Sequence, residues 1–284
     1  MIDMHMHSTA SDGTDNIKEL LEKVREAGIT VFSVTDHDTI DGSLEMERIV
    51  PDDMEFIKGI EFSSITEAGK CHILAYDYDE NDKLFQSMLE EGFTRRRNKM
   101  ERRIAFLDSE FGIRLTEDEL SHLRQMKSGG KPHLGNLLVA KGYAADKNAA
   151  IEKYLDPCKT ESDRLDGSKV IKAILSSGGI PVWAHPFGGS EEKAVSIPTF
   201  EKQLRILMKA GLKGLECHYS KYTDEQVEYL THSADINGLY ISGGSDYHGT
   251  NKKVPLGKLN ATGSNADREK ITILKAIEDR HLTK

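Results

Sequence analysis

The apolar runs of this chain end, one after another, in histidines and carboxylates, and that repetition limits the folds open to it. The positions are His5-Met6-His7 with Asp12, Asp36-His37-Asp38, Glu61, His72, His185 and Asp246-Tyr247-His248. Imidazole and carboxylate donors suit zinc, manganese or iron rather than calcium or a thiolate cluster. In His5-Met6-His7 and Asp246-Tyr247-His248 the donors are two residues apart, so on an extended strand both point to one face. Nine unrelated solvated side chains would not finish apolar strands so regularly. A fold whose strand ends converge would gather His5, His7, Asp12, His37, Glu61, His72, His185, Asp246 and His248 into one multinuclear metal site. The chemistry expected of such a site is hydrolysis.

The remaining pattern predicts an α/β protein. Residues 1–7 read as a strand, followed by a helix with the stripe Ile17, Leu20, Leu21 and Val24, capped at Thr14 or Asp15 and closed by Gly28. Further strands are expected at 29–34, 54–61 and 70–76. From 79 to 164 the pattern is helical: 84–109 interrupted at Gly92, a capping box of Thr116 and Glu119, then 132–141 and 148–155. Alternation resumes with helix 168–176, strand 180–184, helix 199–210, strand 214–217, helix 224–237, strand 239–243 and a last helix over 266–280. Strand–helix alternation with chemistry at strand C-termini predicts a barrel of parallel strands with its site at that face. Residues 1–78 and 165–284 would form the barrel, and 79–164 an inserted helical cap domain.

Composition narrows the partners. A net charge of -9 argues against tracking a long nucleic acid, which needs a positive surface, but leaves room for one small anionic substrate. Cys71, Cys158 and Cys217 show no CxxC spacing. No leader-like or membrane-length apolar run is present, so a cytoplasmic setting is expected.

Taken in order, the motifs resemble the PHP (polymerase and histidinol phosphatase) metal-dependent phosphoesterases. They are Asp3-Met4-His5-Met6-His7-Ser8 with Ser11-Asp12-Gly13, Thr35-Asp36-His37-Asp38, Gly59-Ile60-Glu61-Phe62-Ser63, His72-Ile73-Leu74, Ala184-His185-Pro186 and Gly244-Ser245-Asp246-Tyr247-His248. The resemblance implies a distorted (β/α)7 TIM-like barrel holding two or three divalent or trivalent ions, with manganese, zinc or iron the metals to expect. It implies that His5, His7 and Asp246 hold one ion, that Glu61 bridges to a second completed by His72 and His185, and that Asp12, His37 and His248 hold a third. The helical insertion, with Lys131-Pro132-His133 opening a helix, resembles the bacterial branch that dephosphorylates small nucleotides. The substrate so implied is a nucleoside 3',5'-bisphosphate losing its 3'-phosphate. A ribose cyclic phosphodiester is the nearest alternative, and histidinol phosphate is disfavoured by the insertion.

Further residues are weighed on their own terms. Pro132 suits the first position of a helix whose N-terminal N–H groups favour phosphate, so Lys131 and His133 are expected at the substrate. Gly129-Gly130 would permit close approach. His218, beyond a strand end, either reaches substrate or lies in an exposed loop. His37 and Asp246 are the candidates for assisting the leaving alkoxide. Asp36 is expected to orient an imidazole and Asp38 to cap a turn; Glu216 either bonds into the site or is structural. The run Arg95, Arg96, Arg97, Lys99, Arg102 and Arg103 spreads around its helix, so at most one or two members face the site.

Overall fold

The computed structural model describes residues 1–126, 128–159, 162, 164–189 and 193–282. Three short parallel strands, β1 (Ile2–Asp3), β2 (Val31–Phe32) and β3 (Glu55–Phe56), form one sheet in that order. Six more form a second sheet, ordered β6 (Leu165–Asp166), β4 (Gly59–Thr66), β5 (Gly69–Tyr76), β7 (Ile180–Ala184), β8 (Gly214–Tyr219) and β9 (Tyr240–Gly244). The expected all-parallel arrangement does not hold. The tight turn between Thr66 and Gly69 folds β5 back, so it runs antiparallel to both β4 and β7. Gly69 sits at φ 143°, a conformation that only glycine adopts freely.

Backbone hydrogen bonds link the two sheets at both edges. The Met4 N–H donates to Gly243 and the Asp246 N–H to His5, at 3.0 and 2.8 Å. On the other side the Glu61 N–H donates to Asp36 and the Asp38 N–H to Glu61. Among the described residues no single closed sheet forms.

Helices cover the outer faces. α1 (Ile17–Glu26) and α2 (Asp41–Ile49) pack Leu20, Val24 and Met46 against Met6, Phe32 and Val34. The cap of α1 is Asn16, not Thr14 or Asp15, with the Glu19 side chain completing a capping box. The helix α2 has no capping side chain and was not expected from the pattern.

The segment between β5 and β6 is helical: α3 (Lys83–Phe111), α4 (Glu117–Gln125), α5 (Lys131–Ala140) and α6 (Lys147–Ala150), which continues as a π-turn over Ile151–Leu155. Met100, Leu107, Leu123, Leu134, Leu138 and Tyr154 give these helices a hydrophobic cluster of their own. Gly92 does not interrupt α3. A Cβ there would sit 3.4 Å from Leu165 and 3.6 Å from Asp38, ordinary contact distances, so the helix passes close to the strand ends at this point.

After β6, α7 (Gly167–Ser176), α8 (Ile197–Ala210) and α9 (Asp224–Ile236) pack on the large sheet with Phe200, Leu207 and Leu230. Then α10 (Ile273–Leu282) covers Leu74, Tyr76 and Val182. No helix among the described residues is long and apolar enough to cross a membrane.

Candidate metal centre

All nine predicted donors come together. Glu61, at the start of β4 and fully buried, is the hub. Its Oε2 lies 3.3 Å from His5 Nε2, 3.3 Å from His7 Nε2 and 3.0 Å from His37 Nδ1. Its Oε1 lies 2.9 Å from both His72 Nδ1 and His185 Nε2. Asp246 Oδ1 approaches His5, His7 and His248 at 3.4–3.7 Å. Asp12 Oδ1 is 3.2 Å from His248 Nε2. Donor atoms of His7, Asp12, His37 and His248 all lie within 4.8 Å of one another, as do those of His5, His7 and Glu61, and of His37, Glu61 and His72.

Several buried donors have nothing to bond. Glu61 Oε2, His37 Nδ1 and His248 Nε2 have no hydrogen-bond partner, although the first two are 3.0 Å apart. His5 Nε2 faces His7 Nε2 at 3.2 Å, two like atoms that share at most one proton. Donors about 2.1 Å from a shared ion sit roughly 3–4 Å apart, the spacing found here. An unpaired buried polar atom costs about 1–3 kcal/mol, so this cluster fits cations and is poorly satisfied by protein alone.

Burial opposes charge on Glu61, yet His72, His37 and His5 hold its carboxyl well below the usual carboxylate range. Burial likewise opposes charge on Asp246 and Asp12, and Lys252 with His248, and His248 with His37, hold them low. Burial would also keep His5 and His7 neutral. Glu216 and Glu61 nonetheless raise His5 well above its ordinary value, and Asp246 with Glu61 raise His7 to about 9. Burial pushes His37 well down and also lowers His248, leaving both rings as lone-pair donors. Without cations, the carboxylates thus draw a proton to the facing His5–His7 pair.

The braces around the donors were only partly foreseen. Glu216 Oε1 lies 2.9 Å from His5 Nδ1, and its Oε2 accepts the His185 N–H at 2.7 Å. Asp36 bonds no imidazole; it accepts from the Ser8 N–H and from the Ser8 and Ser11 hydroxyls, fixing the loop that carries Asp12. Asp38 holds the Ser63 N–H and the Arg96 guanidinium instead of capping a turn. Of the basic run, Arg96 reaches the strand ends, donating also to Ser63 Oγ at 2.7 Å, while Arg95 donates to the Arg164 carbonyl next to β6. Three braces were missed. Tyr219 and Lys252 both reach Asp246 Oδ2 at 2.8 Å, and Asp3 accepts the Ser245 and Gly257 N–H groups. Only Asp3, next to the first donor strand, gave a local signal. Asp38, His185 and Asp246 all have positive φ, a strained conformation that surrounding bonds must maintain.

The model of the PHP domain matches residues 3–161, more than half of the chain. The chain belongs to the PHP domain family. Relatives of this PHP chain carry several activities in their names. A 5'-3' exoribonuclease from Haemophilus influenzae is 28% identical, the match covering 90% of this chain and 93% of the relative. A phosphoribosyl 1,2-cyclic phosphate 1,2-diphosphodiesterase from Eggerthella lenta is 27% identical, covering 89% and 96%. A 3',5'-nucleoside bisphosphate phosphatase from Chromobacterium violaceum is 24% identical, covering 87% of each. A solved structure from Bifidobacterium adolescentis, described as a candidate metal-dependent phosphoesterase, superposes with a TM-score of 0.83 at 26% identity, covering 98% of this chain and 96% of that one. The PHP chain is thus an enzyme, a metal-dependent hydrolase of phosphoric esters.

The substrate residues expected of this PHP chain fare unevenly. His133, in the first turn of α5, takes the Gly130 N–H on Nδ1 at 3.1 Å. Burial lowers its pKa, with Asp12 and the Ser11 backbone opposing, so the ring is neutral and stands beside the donor cluster. Lys131 turns away: its ammonium pairs with Asp156. His218 is also elsewhere. A bulge in β8 makes Glu216 and His218 pair with consecutive residues, Ser242 and Gly243, so they face opposite ways. His218 lines a separate cavity of about 660 Å³ beside α9, where burial and Lys270 push its pKa down to about 4.

Proposed function

We propose that this PHP enzyme removes a phosphate monoester from a small nucleotide, the 3'-phosphate of a nucleoside 3',5'-bisphosphate being the substrate. The observation that carries the reading is the placement of Glu61, one oxygen facing His5, His7 and His37 and the other facing His72 and His185. A carboxylate so placed would bridge two ions, one completed by His5, His7 and Asp246, the other by His72 and His185. Asp12, His37 and His248 would take a third. Manganese, zinc and iron all suit these donors. Bound cations supply a water acidified to near neutrality and neutralise charge on the phosphoryl oxygens.

The protein's own part is positioning. Glu216 fixes the His5 ring, and Asp36 fixes the Ser8–Ser11 loop that presents Asp12. Asp246 is held ionised beside Lys252 and Tyr219, so it orients imidazoles and accepts protons rather than donating them. His37, neutral and at the rim of the cluster, is the better placed of the two for a proton passing to or from the leaving oxygen. His133 faces the substrate from the helical side.

In architecture we read residues 1–78 and 165–284 as a distorted (β/α)7 barrel and 79–164 as its cap domain. The hydrogen bonds joining the two sheets at both edges and the separate helical cluster support that division. The unbridged Cys71, Cys158 and Cys217 suit a reducing, cytoplasmic setting.

Two relatives favour a second reading, a diester substrate: a ribose cyclic phosphate or the end of an RNA strand. The net charge of -9 speaks against wrapping a long strand, but not against trimming its terminus. The test is hydrolysis by manganese-loaded enzyme, read as phosphate release from a nucleoside 3',5'-bisphosphate and histidinol phosphate, and as chromatographic appearance of the monoester or nucleotide product from a ribose cyclic phosphate and a 5'-phosphorylated oligoribonucleotide. The highest kcat/KM is expected on the bisphosphate. A preference for either diester would replace the first reading with the second, and no hydrolysis of any ester would end both.

A further inference from the structure

A cavity of about 620 Å³ opens directly beside the donor cluster, with His72 and His185 in its wall. The β4–β5 turn, residues 186, 188 and 193–195 and the start of α8 line the rest. Its volume falls in the range that holds nucleotide-sized ligands. The lining carries Lys70, Arg164 and Lys193, and among the described residues that line it there is no carboxylate. That is an anomaly in a chain of net charge -9. Arg164 is fixed there, its guanidinium donating to the carbonyls of Ser64 and Cys71 at 3.4 and 3.2 Å.

Gln203, on α8, adds the specific signal. It is 2% exposed and lines the cavity. Its Oε1 accepts from Thr66 at 2.8 Å, while its Nε2 has no hydrogen-bond partner. A buried amide donor left idle is costly unless something outside the protein accepts from it. The first turn of α8, with Ser196 as its cap, borders the same space and adds partial positive charge.

We propose that this cavity is a second anion subsite, which takes a phosphate separated from the reacting one by a ribose, with Lys70 and Arg164 supplying charge and Gln203 Nε2 a neutral hydrogen bond. The inference rests on the nucleotide-phosphatase reading and deepens it. It replaces Lys131, which is tied to Asp156, as the source of selectivity for a doubly phosphorylated substrate.

The test compares metal-loaded wild type with Lys70→Glu, an exposed position, and with Gln203→Leu. The ratio of kcat/KM on a nucleoside 3',5'-bisphosphate to that on the 3'-monophosphate should fall about tenfold or more in Lys70→Glu and several-fold in Gln203→Leu. A ratio unchanged in both variants, because the two substrates lose equally or not at all, overturns the subsite. Calorimetric titration with a nucleoside 5'-monophosphate gives an independent arm. Its Kd should weaken about tenfold in Lys70→Glu and rise with salt. If wild type hydrolyses neither substrate, the phosphatase reading falls alone. The titration then still decides: an unchanged Kd rejects the subsite and a weakened one upholds it.

Discussion

Glu216 Oε1 lies 2.9 Å from Nδ1 of His5, both groups being fully buried. The contact puts the proton on Nδ1 and leaves Nε2 facing the other donors. The second oxygen of Glu216 takes the backbone N–H of His185 at 2.7 Å, where the chain has φ 30°. One carboxylate therefore aims two donors that would sit on opposite sides of Glu61. Replacing Glu216 by Gln keeps the shape but cannot accept both bonds as an anion. Metal affinity should fall about tenfold to a hundredfold, the usual effect of losing a group that braces a ligand, with little change in far-UV circular dichroism. Unaltered affinity in a chelator-competition titration would remove Glu216 from the site.

Proton and cation compete for the same rings. Without metal, His7 is raised to about 9 by Asp246 and Glu61, against its ordinary 6.5. A folded-state pKa above the unfolded one contributes stability in full below about 6.5, and that contribution is lost as pH rises through 9. His37 and His248, shifted down, act with the opposite sign, but their contribution is complete by about pH 7.5. Between pH 7.5 and 9.5 the metal-free protein should therefore lose thermal stability. Metal should bind more tightly over the same interval, because fewer protons must leave. Thermal melts of chelated and manganese-loaded samples across that range check both. A metal-free Tm that is flat or rises with pH counts against protonated His7.

The donor set was legible because its signals are local. A ligand at the end of a β-branched run, or two ligands at spacing two, needs no tertiary knowledge to be noticed. All nine positions meet around Glu61. What escaped reading depends on the third dimension. Nothing near Lys252 or Tyr219 hints that both end on Asp246: a loop carries Lys252 there and the end of β8 carries Tyr219. The reversal of β5 follows from a two-residue turn, Glu67-Ala68, that looks like any strand interruption. A single bulge in β8 was enough to send His218 away from Glu216, since strand periodicity assumes no inserted residue. The Lys131 ion pair escaped reading for a similar reason: its partner Asp156 lies twenty-five residues on, in the turn after the π-helical Ile151–Leu155.

Arg96 ties the long helix α3 to the strand ends through Asp38 and Ser63. The Asp38 side chain is 3% exposed and the Arg96 side chain 16%, so solvent screens the pair little. Truncation to Ala would leave the Asp38 carboxylate buried without this cation, beside a backbone already held at φ 53°. A loss of about 2–3 kcal/mol in urea unfolding is expected. Activity should drop as well, because Asp38 directly follows His37. An Arg96→Lys variant should recover only part of both, since an ammonium cannot reproduce the guanidinium's forked donation. Full stability in Arg96→Ala would show that α3 is docked by its apolar contacts alone.

The two residues opening α5 should behave differently under mutation, although they are two positions apart. Lys131 pairs with Asp156 at a partly exposed site, a contact worth about 0–1 kcal/mol, so Lys131→Ala should leave KM within about twofold of wild type. His133 stands beside Asp12 and Ser11, its Nδ1 held by the Gly130 N–H and its pKa lowered mainly by burial. The ring is thereby fixed between the start of α5 and the Ser11 backbone, next to the donors. His133→Ala should raise KM about tenfold with metal content unchanged, because none of the closest donor sets includes His133. Elemental analysis and initial-rate kinetics on both variants separate the cases. A larger KM effect in Lys131→Ala than in His133→Ala would mean that the Asp156 pair opens in solution and that α5 presents its lysine after all.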